Sequence, residues 1–333
     1  MQAILTDGKK GKAIAKRNSL YLREICFTII SPSSKVKNRV TTLNKEKKQM
    51  TKTEQSRRHF MQVVGVGAAC LAGTGRCLAQ VGSADKMTSQ AKFELGLASY
   101  TLREFKLEET LAMTRRVGLK YIGFKSMHLE LDSTPAQIRE TVQKVKDAGL
   151  ILYGAGVISM KKEGQVHQAF DYAKAAGMKV AIAAPSPEML PLIEKKVKQY
   201  DIKVAIHNHG PGDDLFPTPA VALEHIKNLD KRIGMCHDIG HTKRYGSDPI
   251  AETKLCADRL HDVHIKDVSE ATAKGHGVEV GRGVIDIPKF LKTLIKIDYD
   301  GIVSFEYEKD AKDPIAGLAE SVGYVKGVLA AIG

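Results

Sequence analysis

Cysteine is scarce in this chain of 333 residues. There are five, at positions 26, 70, 77, 236 and 256. Three fall in the first 80 residues, and Cys236 and Cys256 read as a strand and a helix residue at no metal-like spacing. That argues against a disulfide framework and against a cysteine-rich zinc site. Excess positive charge is missing from most of the chain. The formal net charge is +13, but residues 1–84 hold 16 Lys+Arg against 4 Asp+Glu, and the remainder holds 35 against 34. The part able to fold is therefore electrically neutral, with no basic stripe for a phosphate backbone, which excludes nucleic acid as a partner. No G-x-G-x-x-G follows the first candidate strand, which removes dinucleotide binding. No internal repeat is visible beyond a strand–helix period.

The basic excess belongs to a leader. Arg57-Arg58 precedes a Gly/Ala-rich apolar run, Val63 to Leu71, and then Cys77-Leu-Ala79, a small-x-Ala cleavage site. Charged, apolar and small-residue regions in that order form a secretory signal, and the paired arginines make it a twin-arginine one. The apolar run is too short and too glycine-rich for a permanent anchor. Gly67 stands where a lipoprotein signal at Cys70 would carry a large aliphatic residue. Met50 lies seven residues before Arg57, so translation is expected to start there, with 1–49 an over-extended or disordered N-terminus. The reading is a signal over 50–79, a linker over 80–92, and a mature periplasmic protein without a stable membrane anchor. The sequence leaves the oligomeric state open.

From about Phe93 strands alternate with helices. Eight runs rich in Gly, Val, Ile and Ala read as parallel strands: Glu94–Ser99, Tyr121–Lys125, Leu150–Val157, Lys179–Ala184, Lys203–His207, Ile233–Asp238, His261–Lys266 and Gly301–Glu306. The segments between them have helical period, as at Ile138, Val142 and Val145. Five helices open with a capping residue and then proline: Thr134-Pro135, Ser186-Pro187, Thr218-Pro219, Asp248-Pro249 and Asp313-Pro314. Others close on glycine, at Gly118, Gly149 and Gly177. Eight such units over 93–333 predict a (β/α)8 TIM barrel behind the leader.

Chemistry collects at the ends of the last four strands. Strand five ends in Ile206-His-Asn-His-Gly210, strand six in Cys236-His-Asp-Ile-Gly-His241, strand seven in Val263-His-Ile-Lys-Asp267 and strand eight in Ser304-Phe-Glu-Tyr-Glu308. A barrel brings all four ends to one rim, so residues a hundred positions apart can share an ion. Each has a plainer reading. A single His is more often a satisfied polar residue, Asp238 could cap the next helix, Glu306 could be a solvated edge residue, and Lys266 with Asp267 could form a surface ion pair. Their occurrence on four consecutive strands points to a shared divalent metal site.

The patterns Asp238-x-Gly240-His241, His264-Ile-Lys-Asp267, Gly281-Arg-Gly-Val-Ile-Asp286 and Gly301-Ile-Val-Ser-Phe-Glu306 resemble signatures of the xylose isomerase-like barrels, a superfamily of sugar isomerases and epimerases. The resemblance runs from about Phe93 to the C-terminus. It implies metal ligands Asp238, His264 and Glu306, with a fourth from strand five, and His241 beside the metal or in contact with substrate. Many epimerases carry a metal-binding glutamate on strand five; here the position falls on His207. His-Asn-His-Gly is closer to the strand-five motif of the inosose dehydratases of the same superfamily. After strand two, Lys125 and His128 stand where an acid is common. Lys125 either polarises a carbonyl or holds a hydroxyl, or else snorkels at the rim. His128, Lys266 and Arg282 are expected to contact substrate.

The expected activity is a metal-dependent sugar isomerase or epimerase that removes a proton next to a carbonyl, the ion acting as a Lewis acid. His209, Glu306, Lys125 and His241 are the candidate catalytic groups, a neutral imidazole being suited to proton transfer near pH 7. The alternative is a lyase or dehydratase that expels a β-substituent, for example from a 3-keto-glycoside or a keto-cyclitol. Two imidazoles with two carboxylates, His207, Asp238, His264 and Glu306, suit Mn²⁺, with Co²⁺ or Zn²⁺ next. Export favours a sugar without phosphate as the small-molecule partner.

Overall fold

The structure, a computed structural model, describes residues 90–332. The twin-arginine leader, its cleavage site and the start at Met50 lie outside these residues. Eight parallel strands close into a barrel: β1 Glu94–Ala98, β2 Tyr121–Phe124, β3 Ile151–Met160, β4 Val180–Pro185, β5 Lys203–His207, β6 Ile233–Asp238, β7 Leu260–Ile265 and, last, β10 Ile302–Phe305. Neighbours in sequence are neighbours in space, and β10 closes on β1 with Gly96 opposite Ser304. The long interval between the last two barrel strands holds a short antiparallel ribbon, β8 Asp267–Val268 with β9 Gly277–Val278.

The helices are α1 Leu107–Arg116, α2 Pro135–Asp147, α3 Glu163–Ala175, α4 Leu190–Tyr200, α5 Pro219–Ile226, α6 Ile239–Arg244, α7 Pro249–Leu255, α8 Ile287–Lys296 and α9 Ile315–Ile332. Four of them begin at a residue whose side chain caps the first turn: Thr134, Asp238, Asp248 and Asp286. The Thr134 hydroxyl accepts from Gln137 N, and Asp248 accepts from Ile250 N. Thr218 does not cap, because the Glu252 carboxylate of α7 reaches across to accept from Ala220 N at 2.7 Å. Ser186 opens a 3-10 turn before α4, also without a side-chain bond. Gly118, Gly149 and Gly177 take φ of +75°, +72° and +68°, the left-handed conformation that ends a helix cheaply only at glycine.

Apolar residues fill two spaces. The larger lies between strands and helices; in α8 it takes Ile287, Phe290, Leu291 and Leu294, one helical stripe. The smaller lies inside the barrel and consists of Val180, Ile182, Ala205 and Cys236 with Val157 against them. β3 runs three residues past its expected end and pairs through Met160 with Pro185. It lies close against β4, since a Cβ at Gly154 would meet Val180 O at 2.7 Å. Helix α9 is long and apolar enough to cross a bilayer by composition, with a mean hydropathy of 1.4. In this fold it buries Leu318, Val322 and Val325.

Candidate active site

At the C-terminal rim, β5, β6, β7 and β10 deliver His207, Asp238, His264 and Glu306 to one point. All four are buried, and one ligand-type atom from each lies within 4.8 Å of the others. Ligands held about 2.0–2.2 Å from a first-row cation stand about 3–3.6 Å apart, inside that limit. His207 Nε2 is 3.1 Å from His264 Nδ1, which is 3.3 Å from Glu306 Oε2. His207 Nε2 lies 3.7 Å from Asp238 Oδ2, and His241 Nε2 lies 3.8 Å from the same oxygen. Of the ring's donor atoms Asp238 Oδ2 is buried without a hydrogen-bond partner among the described residues, as are the far ring nitrogens His207 Nδ1 and His264 Nε2. Buried polar atoms are seldom left so. Two nitrogens and two oxygens aimed at one point fit a divalent cation.

Local structure explains the aim. Asp238 does cap a helix: its Oδ1 accepts from His241 N at 2.7 Å at the start of α6. Capping fixes the carboxyl so that Oδ2 faces the other ligands, so the plain and the functional readings hold together. Asn208, between the two strand-five histidines, clamps this turn. Its Oδ1 accepts from Asp238 N, and its Nδ2 donates to Asp238 O and Thr242 Oγ1. Gly210 has φ +70°, and a Cβ there would meet His241 O at 2.5 Å. The His-Asn-His-Gly loop can therefore approach α6 only with glycine at that position.

Lys266 sits within the cluster rather than at its edge. Its ammonium is 2.8 Å from Glu306 Oε2, 2.8 Å from Glu308 Oε1 and 3.0 Å from Asp238 Oδ2. The last contact is an ion pair too poorly angled to be a hydrogen bond. Burial pushes the Lys266 pKa down, but the three carboxylates outweigh it and hold it well above the usual value. Glu306 is the mirror case. Burial alone would raise its pKa, yet Lys266 and His264 hold it well below the ordinary carboxylate range. His207 is pushed well below a normal histidine by burial and by the neighbouring imidazoles, so it stays neutral and keeps a lone pair. Gly240 makes the arrangement fit, since a Cβ there would meet the Lys266 stem at 2.8 Å.

His209 is half-exposed, its ring 4.5 Å from that of His207. Its Nδ1 is 3.2 Å from Asp213 Oδ2, which leaves Nε2 as the nitrogen available to a substrate. It lines a cavity of about 490 Å³ with Lys161, Pro185, Asp213 and Phe216. Lys125 is half-buried, its ammonium 5.3 Å from the Tyr100 ring centroid. Burial lowers its pKa while the charges of Glu306 and Glu308 act in the other direction.

Two expected substrate contacts are placed elsewhere. His128 is buried with both ring nitrogens engaged, Nδ1 by Ser99 Oγ at 2.9 Å and Nε2 by Thr110 Oγ1 at 3.0 Å and Phe105 O at 3.1 Å. It is a satisfied core histidine. Arg282 is exposed and forks onto Glu320 of α9. Asp267 is not a surface ion pair. It is buried and accepts from the backbone N–H groups of Val268, Gly281, Gly283 and Ile285, so it holds the 281–285 loop in place. Sequence reading passed over Asp262, Cys236 and Asp213. The first two stand two residues before His264 and Asp238, hence on the same side of their strands, a signal available from period alone. Asp262 Oδ2 is 3.5 Å from His264 Nε2 and accepts from Cys236 Sγ at 3.3 Å, and burial pushes its pKa up to about 6.

Residues 90–328 match the xylose isomerase-like TIM barrel family. The chain belongs to that family. Among curated relatives, SgbU of Escherichia coli (strain K12), named as an L-ribulose-5-phosphate 3-epimerase, is 31% identical over 94 residues, 27% of this chain and 33% of that protein. The inosose dehydratase of Geobacillus kaustophilus is 30% identical over 93 residues, 23% of this chain and 30% of the relative. These matches thus span about a third of each relative's length. The solved apo form of the 3-keto-D-glucoside 4-epimerase YcjR from E. coli covers 71% of this chain and 100% of its own at TM-score 0.59. At 16% identity that likeness speaks for the fold alone.

Proposed function

We propose that this protein is a divalent-metal-dependent isomerase or epimerase of a non-phosphorylated sugar or keto-sugar, acting by proton removal next to a carbonyl. The observation that carries the proposal is the buried donor ring of His207, Asp238, His264 and Glu306 at the barrel rim. A bound divalent ion, Mn²⁺ in our assignment with Co²⁺ or Zn²⁺ next, supplies Lewis acidity to the carbonyl oxygen. The protein's own groups handle the proton. His209, oriented by Asp213, takes it through Nε2 from the side of β5. Glu306 stands across the rim on the β10 side, with β6 and β7 between, where its ionised carboxylate is placed to take a proton from another direction. Lys266 and Lys125 hold substrate oxygens by their charge.

A second reading rests on one feature. The strand-five position is His207, not a second carboxylate, so the ring lacks the symmetric acid pair that two-sided epimerisation uses. That favours a lyase or dehydratase expelling a β-substituent from a keto-sugar. The Arg57-Arg58 leader, in our reading, delivers the enzyme to the periplasm, where free sugars and oxidised glycosides are the available substrates. The test is incubation of the Mn²⁺-loaded protein with ketoses and 3-keto-glucosides in deuterated water, followed by NMR. Deuterium at the carbon next to the carbonyl without elimination supports isomerase or epimerase. Release of an aglycone or of water supports lyase. Neither outcome with any sugar refutes both.

A further inference from the structure

Below the donor ring, one layer deeper in the barrel, Cys236 offers the two ring histidines a third partner that the sugar chemistry does not use. Cys236 precedes Asp238 by two residues, faces the same way, and sits opposite His207 in the β5–β6 register. Donor atoms of Cys236, His207 and His264 lie within 4.8 Å of one another, and all three residues are buried. We propose that Cys236, His264 and His207 form a second, thiophilic metal site, which takes a cation of the Zn²⁺ or Cd²⁺ class in competition with the ring above it.

His264 makes the two sites exclusive. Its Nδ1 faces His207 Nε2 at 3.1 Å and Glu306 Oε2 at 3.3 Å. Its Nε2, which has no hydrogen-bond partner, faces down to Asp262 Oδ2 at 3.5 Å, the oxygen that also accepts from Cys236 Sγ at 3.3 Å. A neutral imidazole has one lone pair and one N–H. When Nδ1 serves the upper ring, Nε2 carries the proton and Asp262 is there to accept it. When Nε2 serves the lower set, Nδ1 carries the proton and Glu306 accepts it. The two occupancies demand opposite tautomers of one ring, so one ion enters at a time. Binding in the lower set releases the single Cys236 thiol proton and changes no oxidation state. A thiolate ligand selects Zn²⁺ and Cd²⁺ over Mn²⁺. The lower set is therefore a trap through which thiophilic metals exclude the working ion.

The test uses the full-length chain with Cys26, Cys70, Cys77 and Cys256 changed to Ala, so that Cys236 is the sole thiol. Metal-free protein is titrated with Cd²⁺ and followed by thiolate-to-cadmium charge-transfer absorption. The band should saturate at one equivalent and fade when Mn²⁺ is added in excess. Cys236→Ser should abolish it and weaken Cd²⁺ by at least the roughly 10–100-fold that loss of a supporting group produces, with Mn²⁺ affinity unchanged. Absence of the band from the sole-thiol protein, equal Cd²⁺ affinity with and without Cys236, or simultaneous binding of both ions would overturn the proposal. If Cys236→Ser fails to fold by circular dichroism, cadmium NMR of the sole-thiol protein decides. A sulfur-ligated resonance supports the site, and one in the nitrogen–oxygen range refutes it. Failure of Mn²⁺ to bind at all would undo the functional reading above and leave the cadmium band in place, so the two failures are distinguishable.

Discussion

Replacing Lys266 by Met tests the electrostatic core of the site. The ammonium lies 2.8 Å from Glu306, 2.8 Å from Glu308 and 3.0 Å from Asp238. Asp238 and Glu306 are buried, and Met fills most of the stem's volume, so the change removes charge and little packing. Removing one partner of a buried ion pair costs about 3–5 kcal/mol because the other charge is left unpaired. At about 2–4 °C per kcal/mol for a domain of this size, the metal-free variant should melt roughly 6–20 °C lower. The pH dependence has a definite sign. The Lys266 pKa is raised in the folded state, so its contribution is whole below about 10.4 and is lost only above the folded value. The Glu306 pKa is depressed, so its contribution is present above about 4.3 and is lost as pH falls through the folded value. The gap between wild type and variant should be widest between about pH 5 and 10 and should close in acid. The assay is thermal melting in chelator across that range, repeated with Mn²⁺. The ion should raise the variant's melting point more than the wild type's, since it meets two carboxylates with no competing ammonium. A metal-free Lys266→Met protein as stable as wild type at pH 7 would refute the reasoning.

Gly240→Ala should lower stability by about 1–3 kcal/mol through crowding of the Lys266 stem. Combined with Lys266→Met its effect should be close to additive, because Met keeps the stem atoms that the new Cβ would crowd, as a double-mutant cycle in urea would measure. Asp238→Ala and Glu306→Ala should each lose metal and activity together while far-UV circular dichroism stays that of the barrel; stoichiometric metal in both variants would show the ligand set to be wrong. His207→Ala should lose metal affinity, with the rate partly restored by excess metal. His209→Ala should keep metal and lose about 10²–10⁴-fold in turnover, and equal behaviour of the two would remove the distinction between ligand and base. Replacing Arg57 and Arg58 by Lys should hold the full-length protein in the cytoplasm, and processed protein outside the inner membrane would refute the twin-arginine reading.

The barrel was legible because parallel strands covered on both faces leave short apolar runs, and because capped starts and glycine ends punctuate the helices between them. All eight barrel strands stand within a few residues of where the pattern puts them. The ribbon of β8 and β9 was not, since two-residue strands carry no period. The meeting of His207, Asp238, His264 and Glu306 followed from strand order, which fixes which ends share a rim. Side-chain destinations were less legible where the partner is distant. Nothing near His128 announces Ser99 or Thr110, and nothing near Arg282 announces Glu320. Asp267 is a carboxylate in any reading; only the returning 281–285 loop supplies the N–H groups that occupy it. Lys266 has a stem long enough to reach several places, and Gly240 opens the way to the carboxylates.

The charge of the site also bears on which ion it takes. Asp238, Glu306 and Glu308 face the single ammonium of Lys266, which leaves two negative charges uncompensated. Isolated charges in a low-dielectric interior are expensive, and proteins pair them. A dication between Asp238 and Glu306 cancels those two carboxylates, and Lys266 then remains with Glu308, so both halves become neutral. A monovalent ion would leave one negative charge over, and a trivalent ion one positive charge. His207 and His264 add nitrogen ligands without adding charge as neutral imidazoles, and burial keeps His207 neutral. Had strand five carried glutamate in place of His207, the same dication would leave one carboxylate unbalanced. Lys266 would then be needed beside the ion and not free to pair with Glu308. On this argument the histidine and the lysine are linked choices. His207→Glu alone should lower stability and leave metal affinity little changed. Measured metal affinity in His207→Glu, with and without Lys266→Met, decides the matter: if removing the lysine strengthens binding more in the glutamate background, where one more carboxylate is left unbalanced, than in wild type, the two positions are coupled through charge. Parallel changes in the two backgrounds would show that they are not.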